Sequence, residues 1–320
     1  MVIQHRHKFD ELTGKSPQMK LVFQRIQEIA PNDVTVLITG ESGTGKELVA
    51  QSILNRSNRA AGPFIPVNTG AISRDLVGSE LFGHQQGAFT GATETKLGKF
   101  EQARGGTLFL DEISSMDEAT QISLLRVLET KKFQRIGGRR FVNADVRIIA
   151  ASNENLLNEF QRNIRQDLFH RLSVFTINIP PLRERNSDIE ILAEELLDNA
   201  CEEFNKTING FDRQASFALN RYNWPGNVRE MKNVIQRAVL ICPGKKIRLE
   251  HLPDRIRNAS HSQQEIILPV GVTLKQAEQI IIRNTIHSAG GNRKKAAEIL
   301  GISRRALYNK LKKHNSKKSE

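Results

Sequence analysis

Cysteine is almost absent from this chain of 320 residues. Cys201 and Cys242 are the only two, and no histidine or second cysteine lies near either one to complete a ligand set. Neither a zinc site nor a disulfide framework is therefore expected. Two reduced thiols in a cytosolic protein are the simpler interpretation.

Long apolar stretches are also missing. No run of about 18 apolar residues occurs, and Met1–Asp10 lacks the apolar stretch of a signal peptide. We therefore expect a soluble, cytoplasmic protein. The hydrophobic content of 38% is nevertheless enough to bury a sizeable core, which excludes a wholly disordered or fibrous chain.

Positive charge is present in excess and is unevenly placed. The chain has 47 Lys and Arg against 35 Asp and Glu, a net charge of +12. Residues 290–320 hold ten Lys and Arg but only Glu298 and Glu320, so this segment carries +8, two-thirds of the excess. A basic segment of this size predicts an acidic partner for the C-terminal end.

The first two-thirds of the chain alternates β-branched runs with segments of helical period. This pattern predicts an α/β fold in which helices cover a parallel sheet. Helices are expected after Ser16-Pro17, over Glu47–Asn58 and over Asp117–Glu129. The five candidate strands are largely apolar, as strands buried on both faces are: Val34–Thr39, Phe64–Asn68, Thr107–Asp111, Arg147–Ala151 and Val174–Ile179.

Beyond Pro180-Pro181 the strand pattern stops. Three helical segments are predicted there, at Asp188–Asn205, Asp212–Arg221 and Asn227–Ile241, followed by a polar, aperiodic stretch. We therefore divide the chain into an α/β unit at residues 1–181, a helical unit at 182–257, a linker at 258–270 and a C-terminal unit at 271–320.

A phosphate-binding motif follows the first predicted strand. The residues Gly40-Glu41-Ser42-Gly43-Thr44-Gly45-Lys46 fit G-x-x-x-x-G-K and precede a helix, as the motif requires. Its backbone N–H groups would surround the phosphates of ATP, and Lys46 would reach the β- and γ-phosphates. Glu47 stands where the usual motif has the Ser or Thr that binds Mg²⁺, so metal binding must depend on other groups.

Two carboxylates at the end of the third predicted strand supply such groups. Asp111 and Glu112 directly follow Thr107-Leu108-Phe109-Leu110, the pattern of a Walker B strand. This position predicts Asp111 near the Mg²⁺ ion and Glu112 near the water that attacks the γ-phosphate. Together the two motifs predict a P-loop ATPase.

The basic C-terminal end has the pattern of a helix-turn-helix. The pattern of residues 291–311 predicts a helix, a turn at Gly301 and a second helix capped by Ser303. Leu300, Leu307 and Leu311 would form its small core. Lys312 and Lys313 are placed for phosphates. The residues expected at the major groove of double-stranded DNA are Ser303, Arg304, Arg305, Tyr308 and Asn309.

Further motifs narrow the family. Ser79–Gly83 and Gly87–Ala92 (GAFTGA) occur together with Pro180–Arg185 and Trp224–Glu230. With the P-loop, the Walker B strand and the helix-turn-helix, they resemble the AAA+ activators of sigma-54 RNA polymerase, the bacterial enhancer-binding proteins. The resemblance runs from about Leu12 to His314 and implies a five-stranded AAA+ core, a helical lid and a Fis-type helix-turn-helix domain.

The resemblance also implies roles for individual residues. Asn68 would hold Glu112 until the γ-phosphate is in place, although Thr69 stands where many members have cysteine. Asn153 would sense the γ-phosphate, and Arg229 of the lid would couple lid position to the phosphates. The residues by themselves leave Asn153 open as a helix cap. The loop residues expected to contact sigma-54 are Gly87, Ala88, Phe89, Thr90, Gly91 and Ala92.

Arg165 and Arg171 match two family arginines that enter a neighbouring subunit's nucleotide site. Such a role requires that the subunits form a ring, which is a hexamer in this family. The residues by themselves leave open that both arginines are surface charges without a function. The apolar stretch Thr273–His287 resembles the dimer helix of Fis-type domains. The expected protein is thus a DNA-bound, nucleoid-associated ATPase that remodels sigma-54 polymerase, controlled by a separate protein unless a regulatory domain has been removed.

Two other functions fit parts of the same pattern. One is a DNA-binding regulator that keeps a degenerate ATPase domain, which the intact Lys46, Asp111 and Glu112 argue against. The other is a different AAA+ remodeller, such as a replication loader, in which GAFTGA would have no place.

Overall fold

The computed structural model describes residues 8–153, 163–259, 271–288 and 292–315. The chain divides into two compact units, residues 1–260 and residues 261–320. In these four stretches no helix has both the length and the apolar character needed to cross a bilayer.

A parallel five-stranded sheet lies at the centre of the first unit. Its strands follow the order β11-β3-β10-β7-β4, and all four pairings are parallel. The five predicted strands are confirmed, with ends that differ by no more than two residues. The strands are β1 (Lys8–Phe9), β2 (Leu12–Thr13), β3 (Val36–Thr39), β4 (Phe64–Asn68), β5 (Gly83–His84), β6 (Lys96–Leu97), β7 (Thr107–Asp111), β8 (Lys132–Gln134), β9 (Phe141–Asn143), β10 (Arg147–Ser152) and β11 (Phe175–Asn178).

Helices cover both faces of this sheet, which gives the unit two apolar layers. One layer joins α1 and α2 to the sheet around Ile26, Ile38 and Ile53, and the other joins α3 and α5 to it around Leu81, Leu110 and Leu124. The predicted N-cap of α1 is confirmed, because the Ser16 hydroxyl accepts from the Met19 N–H. The helices are α1 (Pro17–Ile29), α2 (Lys46–Asn55), α3 (Arg74–Phe82), α4 (Lys99–Gln102), α5 (Glu118–Thr130) and α6 (Gln166–Leu172).

Three antiparallel hairpins were not predicted from the sequence. They pair β1 with β2, β5 with β6, and β8 with β9, each through strands of only two or three residues. Strands this short contain no recognisable alternation, so tertiary contacts decide them. The β5–β6 hairpin encloses the GAFTGA loop, and the β8–β9 hairpin lies against its base: the Ile136 N–H donates to Gly83 O at 2.9 Å.

The lid follows the sheet as a bundle around Trp224, which is fully buried. Its three predicted helices are confirmed. A fourth helix ends at Ala259, so the prediction of a linker from residue 258 is wrong at its first two positions; residues 260–270 lie outside the described residues. The lid helices are α7 (Ile189–Glu203), α8 (Arg213–Arg221), α9 (Asn227–Ile241) and α10 (Asp254–Ala259).

A buried carboxylate ties the lid to the start of α1. Asp188, which is fully buried, accepts hydrogen bonds from the Lys15 N–H at 2.7 Å, the Ser16 N–H at 2.8 Å and the Ser16 hydroxyl at 2.7 Å. Buried donors that lose an acceptor keep their desolvation cost. Asp188 therefore helps to hold the lid against the start of α1.

Asp188→Ala should lower the free energy of unfolding by roughly 2–4 kcal/mol, because two buried donors of Ser16 and the partly buried N–H of Lys15 lose their acceptor. Asp188→Asn should cost less, since its amide oxygen still accepts. Urea denaturation followed by circular dichroism would measure both, with the exposed Asp198→Ala on α7 as the control. Equal unfolding midpoints for Asp188→Ala and Asp198→Ala would contradict the prediction.

The described residues of the second unit form three helices, α11 (Leu274–Ser288), α12 (Arg293–Ile299) and α13 (Arg304–Asn315). Ile282, Ala296, Ala297 and Leu307 form its buried core, and Leu300 and Leu311 pack against that core. Gly301 adopts a φ of +65°, in the left-handed region that glycine enters without strain. The predicted helix, turn and helix are confirmed.

Candidate functional site

Parallel register brings the polar strand ends to one edge of the sheet. Ser152 pairs with Thr39 across β10 and β3, and Asn68 pairs with Asp111 across β4 and β7. The P-loop therefore begins at the same edge as Asn68, Asp111 and Asn153. The carboxyl edge of an open parallel sheet is where such folds bind ligands.

Lys46, the first residue of α2, lies inside the P-loop and is only 6% exposed. Its Nζ donates to Gly40 O at 2.9 Å, to Glu41 O at 3.2 Å and to Asn153 Oδ1. Burial lowers the pKa of Lys46, while the nearby Asp111 carboxylate opposes this shift. The ammonium is thus held among oxygen acceptors at the edge of the sheet.

Asp111 and Glu112 end β7 beside this lysine. Burial raises the pKa of Asp111, and the positive charge of Lys46 counteracts the effect. Glu112 adopts a φ of +58°, and its Oε1 accepts from Asn153 Nδ2 at 3.0 Å. The two carboxylates therefore lie in different surroundings, as two groups with different roles require.

Asn153 bridges Lys46 and Glu112 through the two ends of its side-chain amide. The sensor role that the resemblance implies for Asn153 stays a prediction, and a helix that Asn153 could cap would lie outside the described residues. Asn68 Oδ1 accepts from the Ala71 N–H at 3.1 Å. The proposed hold of Asn68 on Glu112 stays a prediction.

Glu47 is exposed on the first turn of α2. The described residues contain no group of three or more His, Cys, Asp or Glu side chains arranged to hold a metal. Mg²⁺ commonly takes one or two carboxylates together with phosphate oxygens and waters. Asp111, at the edge where the P-loop begins, fits that kind of site.

The lid contacts the P-loop directly. Gly43 O accepts from the N–H groups of Val228 at 3.0 Å and Arg229 at 3.3 Å. Arg229 Nη1 also donates to Ser42 Oγ at 2.9 Å, so the predicted lid arginine reaches the phosphate-binding loop. Gly43 permits this approach, since a Cβ on it would lie 2.5 Å from Gly226 O and its φ is +79°.

A cavity of about 470 Å³ opens beside the P-loop, between the sheet unit and the lid. Thr44 and Gly45 form part of its wall, together with apolar side chains including Leu12, Leu48 and Leu192. Charged and polar side chains such as Glu195, Lys232 and Gln236 line it as well. A cavity that offers apolar contact and hydrogen-bonding groups next to a phosphate loop suits a nucleobase. Arg185 also borders it; burial lowers the pKa of this arginine to about 10.

The two predicted trans-acting arginines belong to α6: Arg165 is its N-cap, and Arg171 lies inside the helix. Arg165 pairs within its own chain, with Glu118 at 2.7 Å and Asp167 at 2.9 Å. Arg171, in the last turn of α6, is exposed and makes no ion pair with any residue in the described stretches. Arg165 is thus held by carboxylates of its own chain, whereas Arg171 is exposed and outside any ion pair among the described residues.

The GAFTGA loop forms a closed turn at the surface. The Gly87 N–H donates to Ala92 O at 2.8 Å, and the Ala92 N–H donates to Phe89 O at 3.0 Å. Phe89 is 38% exposed, and its ring meets the His84 ring edge-on with centroids 5.0 Å apart. Thr90, Gly87 and Gly91 are exposed as well. The loop thus presents an aromatic side chain to solvent.

The predicted DNA-reading residues share one exposed face of the second unit. Arg304, Arg305, Tyr308 and Asn309 are all exposed on the first two turns of α13, and Ser303 Oγ accepts from the Ala306 N–H at 3.1 Å. Lys312 and Lys313 follow in the same helix. This arrangement suits insertion of the helix into a major groove.

Sequence reasoning missed several residues at the nucleotide site. A Cβ on Gly70 would lie 2.0 Å from Glu112 Oε2, so a larger residue there would displace that carboxylate from its present position. Arg183 forms two hydrogen bonds to Glu41, at 2.9 and 2.6 Å, and Asn227 contacts the same carboxylate at 3.1 Å. The motifs that contain Arg183 and Asn227 marked the region without assigning either residue.

Family models match nearly the whole chain. The Sigma-54 interaction domain matches residues 12–178, the AAA+ ATPase lid domain matches 183–267, and the bacterial regulatory protein model of the Fis family matches 273–314. The structure of NtrX from Brucella abortus in complex with ATP is similar, with a TM-score of 0.70 and 35% identity over 96% of this chain and 70% of that chain.

Two curated relatives extend the similarity. A signal-transduction and transcriptional-control protein of Clostridium beijerinckii is 45% identical over 98% of this chain, which spans 50% of that protein's length. The regulatory protein AtoC of Escherichia coli K12 is 42% identical over 98% of this chain and 71% of its own length. The expected resemblance is confirmed: the chain belongs to the sigma-54-dependent transcriptional regulators, which join an AAA+ ATPase and its lid to a Fis-type DNA-binding domain.

Proposed function

We propose that this protein couples ATP hydrolysis between adjacent protomers of a ring to remodelling of sigma-54 RNA polymerase, while its C-terminal unit holds it on upstream double-stranded DNA. The observation that carries the proposal is the convergence of Lys46, Asn153 and Glu112 in one hydrogen-bonded group beside the P-loop. A degenerate ATPase domain would have no reason to keep this arrangement.

The nucleotide would place its base in the cavity beside Thr44 and its phosphates along the P-loop. Lys46 would turn its ammonium from the loop carbonyls toward the β- and γ-phosphates. Glu112 would accept a proton from the attacking water, which the Asn153 amide would help to orient by holding the carboxylate. Arg229 would bring the lid to the phosphates.

Asp111 would hold Mg²⁺, with the phosphates completing the coordination. The bound ion would supply charge neutralisation during phosphoryl transfer. Because Glu47 replaces the usual hydroxyl ligand and is exposed, Asp111 would be the principal protein ligand.

The GAFTGA loop would transmit the hydrolysis cycle to the sigma subunit. Phe89 supplies an exposed aromatic side chain, the residue type that anchors protein interfaces, and Thr90 stands beside it at the tip. The base of this loop is bonded to the β8–β9 hairpin by the Ile136 and Gln85 N–H groups. Movement of the ATPase core could thus reach the loop through its base.

Phe89→Ala should reduce open-complex formation at least thirtyfold, the loss expected for an interface anchor, with ATP hydrolysis within about twofold of the wild type. The measurement is open-complex formation by purified sigma-54 holoenzyme on a heteroduplex promoter, with and without hydrolysable ATP. Phe217→Ala, which removes a 53% exposed phenylalanine from the lid, is the matched control.

Each result of this assay bears on a different part of the proposal. Full activation by Phe89→Ala would contradict the role of the loop. A wild-type protein that binds DNA but never turns over ATP, alone or on DNA, would favour the DNA-binding regulator with a non-remodelling ATPase domain.

A further inference from the structure

Asn227 joins three segments of the first unit although it belongs to none of the predicted catalytic groups. Its side chain is fully buried. Oδ1 accepts from the Leu182 N–H at 2.8 Å, and Nδ2 donates to Ser42 O at 3.0 Å and to Glu41 Oε2 at 3.1 Å. Both the oxygen and the nitrogen of the Asn227 amide are therefore hydrogen-bonded.

The neighbours of Asn227 dock on the same loop. The N–H groups of Val228 and Arg229, in the first turn of α9, donate to Gly43 O. First-turn amides of a helix have no partner within the helix, so the P-loop carbonyl satisfies groups that α9 leaves open. The lid is thus positioned on the residues that would surround the phosphates.

The backbone conformation of Asn227 also restricts the residue type at this position, and substitutions can test it separately from the side-chain hydrogen bonds. Its φ is +50°, in the left-handed region that asparagine and glycine tolerate best. Glycine at this position would keep the backbone and remove all the side-chain bonds. Aspartate would keep the size and the acceptor for Leu182 but replace the donor that faces Glu41 and Ser42.

Glu41 is the reason why an aspartate at position 227 should disturb the contact between the lid and the P-loop. Its carboxylate already accepts two hydrogen bonds from Arg183, which chiefly hold the pKa of Glu41 below its usual value. An aspartate at 227 would set a second carboxylate against an ionised one at close range. Glutamine at 41 would relieve the repulsion, because its amide can donate to the new carboxylate.

We propose that Asn227 is a positioning residue for ATP binding and hydrolysis: it fixes the lid on Glu41 and Ser42 and so sets where Arg229 meets the phosphates. This inference rests on the proposed ATPase function and extends it from the P-loop to the junction with the lid. Asn227 touches no reacting atom; it acts through Arg229.

The test measures ATP and ADP affinity by calorimetry, and kcat and KM for ATP, on the whole chain. Asn227→Asp should weaken ATP binding about tenfold, and Asn227→Gly should also weaken it. The double variant E41Q/N227D should recover at least threefold of the loss relative to N227D. Asn220→Asp, which adds the same charge at an exposed position of the lid, should bind ATP as the wild type does.

A double-mutant cycle with Arg229→Ala separates positioning from a structural role. If Asn227 acts through Arg229, the variant N227D/R229A should bind ATP within about twofold of R229A alone, since coupled residues are not additive. Independent losses that multiply would overturn the inference, as would wild-type affinity in N227D or in N227G.

Folding and the parent function have their own readouts. Circular dichroism identifies any variant that does not fold. If N227D does not fold, the ATP affinities of N227G and of the double variant E41Q/N227D test the inference, because neither protein places two carboxylates together. If the wild type binds no ATP, the proposed function fails. If the wild type binds ATP and Lys46→Ala abolishes this binding while N227D and N227G do not weaken it, only the role of Asn227 fails.

Discussion

Replacing Glu112 with glutamine is expected to lower kcat for ATP hydrolysis on the order of a thousandfold while ATP still binds. A positioned general base is worth roughly a hundred- to ten-thousandfold, and an amide cannot take the proton. Glutamine has the shape to occupy the space beside Gly70, and its carbonyl can still accept from Asn153 Nδ2. Chemistry should therefore be lost without loss of the fold.

The measurement pairs steady-state hydrolysis with ATP affinity determined by calorimetry. Glu129→Gln, an exposed carboxylate on α5, is the control for a lost negative charge. An E112Q protein that keeps more than a tenth of the wild-type kcat would show that another group activates the water.

Arg171→Ala should also lower kcat on the order of a thousandfold, because an arginine that enters a neighbouring site stabilises the charge of the transferring phosphoryl group. Arg171→Lys should restore only part of this activity, since lysine lacks the planar fork of donors. Arg126→Ala, an exposed arginine of the same unit, should have the activity of the wild type.

Mixing the two inactive proteins provides the decisive observation. A site made from Glu112 of an R171A protomer and Arg171 of an E112Q protomer is complete. Mixed rings should therefore hydrolyse ATP faster than either pure variant, whereas no gain on mixing would mean that Arg171 acts within its own chain or not at all. Arg165 is a weaker candidate for this assay, because Glu118 and Asp167 already hold it.

The strands and most helices could be predicted because their signals are local. Apolar runs such as Thr107–Asp111 end in polar residues, and Ser16-Pro17 starts a helix by cap and proline together. The β8–β9 hairpin gave no such signal. Lys132–Gln134 and Phe141–Asn143 are three residues each, and their pairing depends on contacts made elsewhere in the fold.

The nucleotide site also combines features with a local sequence signal and features that depend on tertiary contacts. The P-loop, the Walker B carboxylates, GAFTGA and the basic helix-turn-helix are contiguous in sequence, so the residue types and spacing alone indicated an ATPase with a DNA-binding end and the family it resembles. Asn153 was placed at the right strand end, but the sequence could not say that its amide reaches both Lys46 and Glu112.

The sequence by itself thus determined which chemical groups the protein has and which short elements carry them. The tertiary structure alone decided which distant groups meet: Asp188 with Ser16, Asn227 with Glu41, and Asn153 with Lys46. The reason is physical. Local pattern records the burial and backbone preference of each segment, whereas a hydrogen bond between residues more than a hundred positions apart depends on strand register and helix packing, which no single segment encodes.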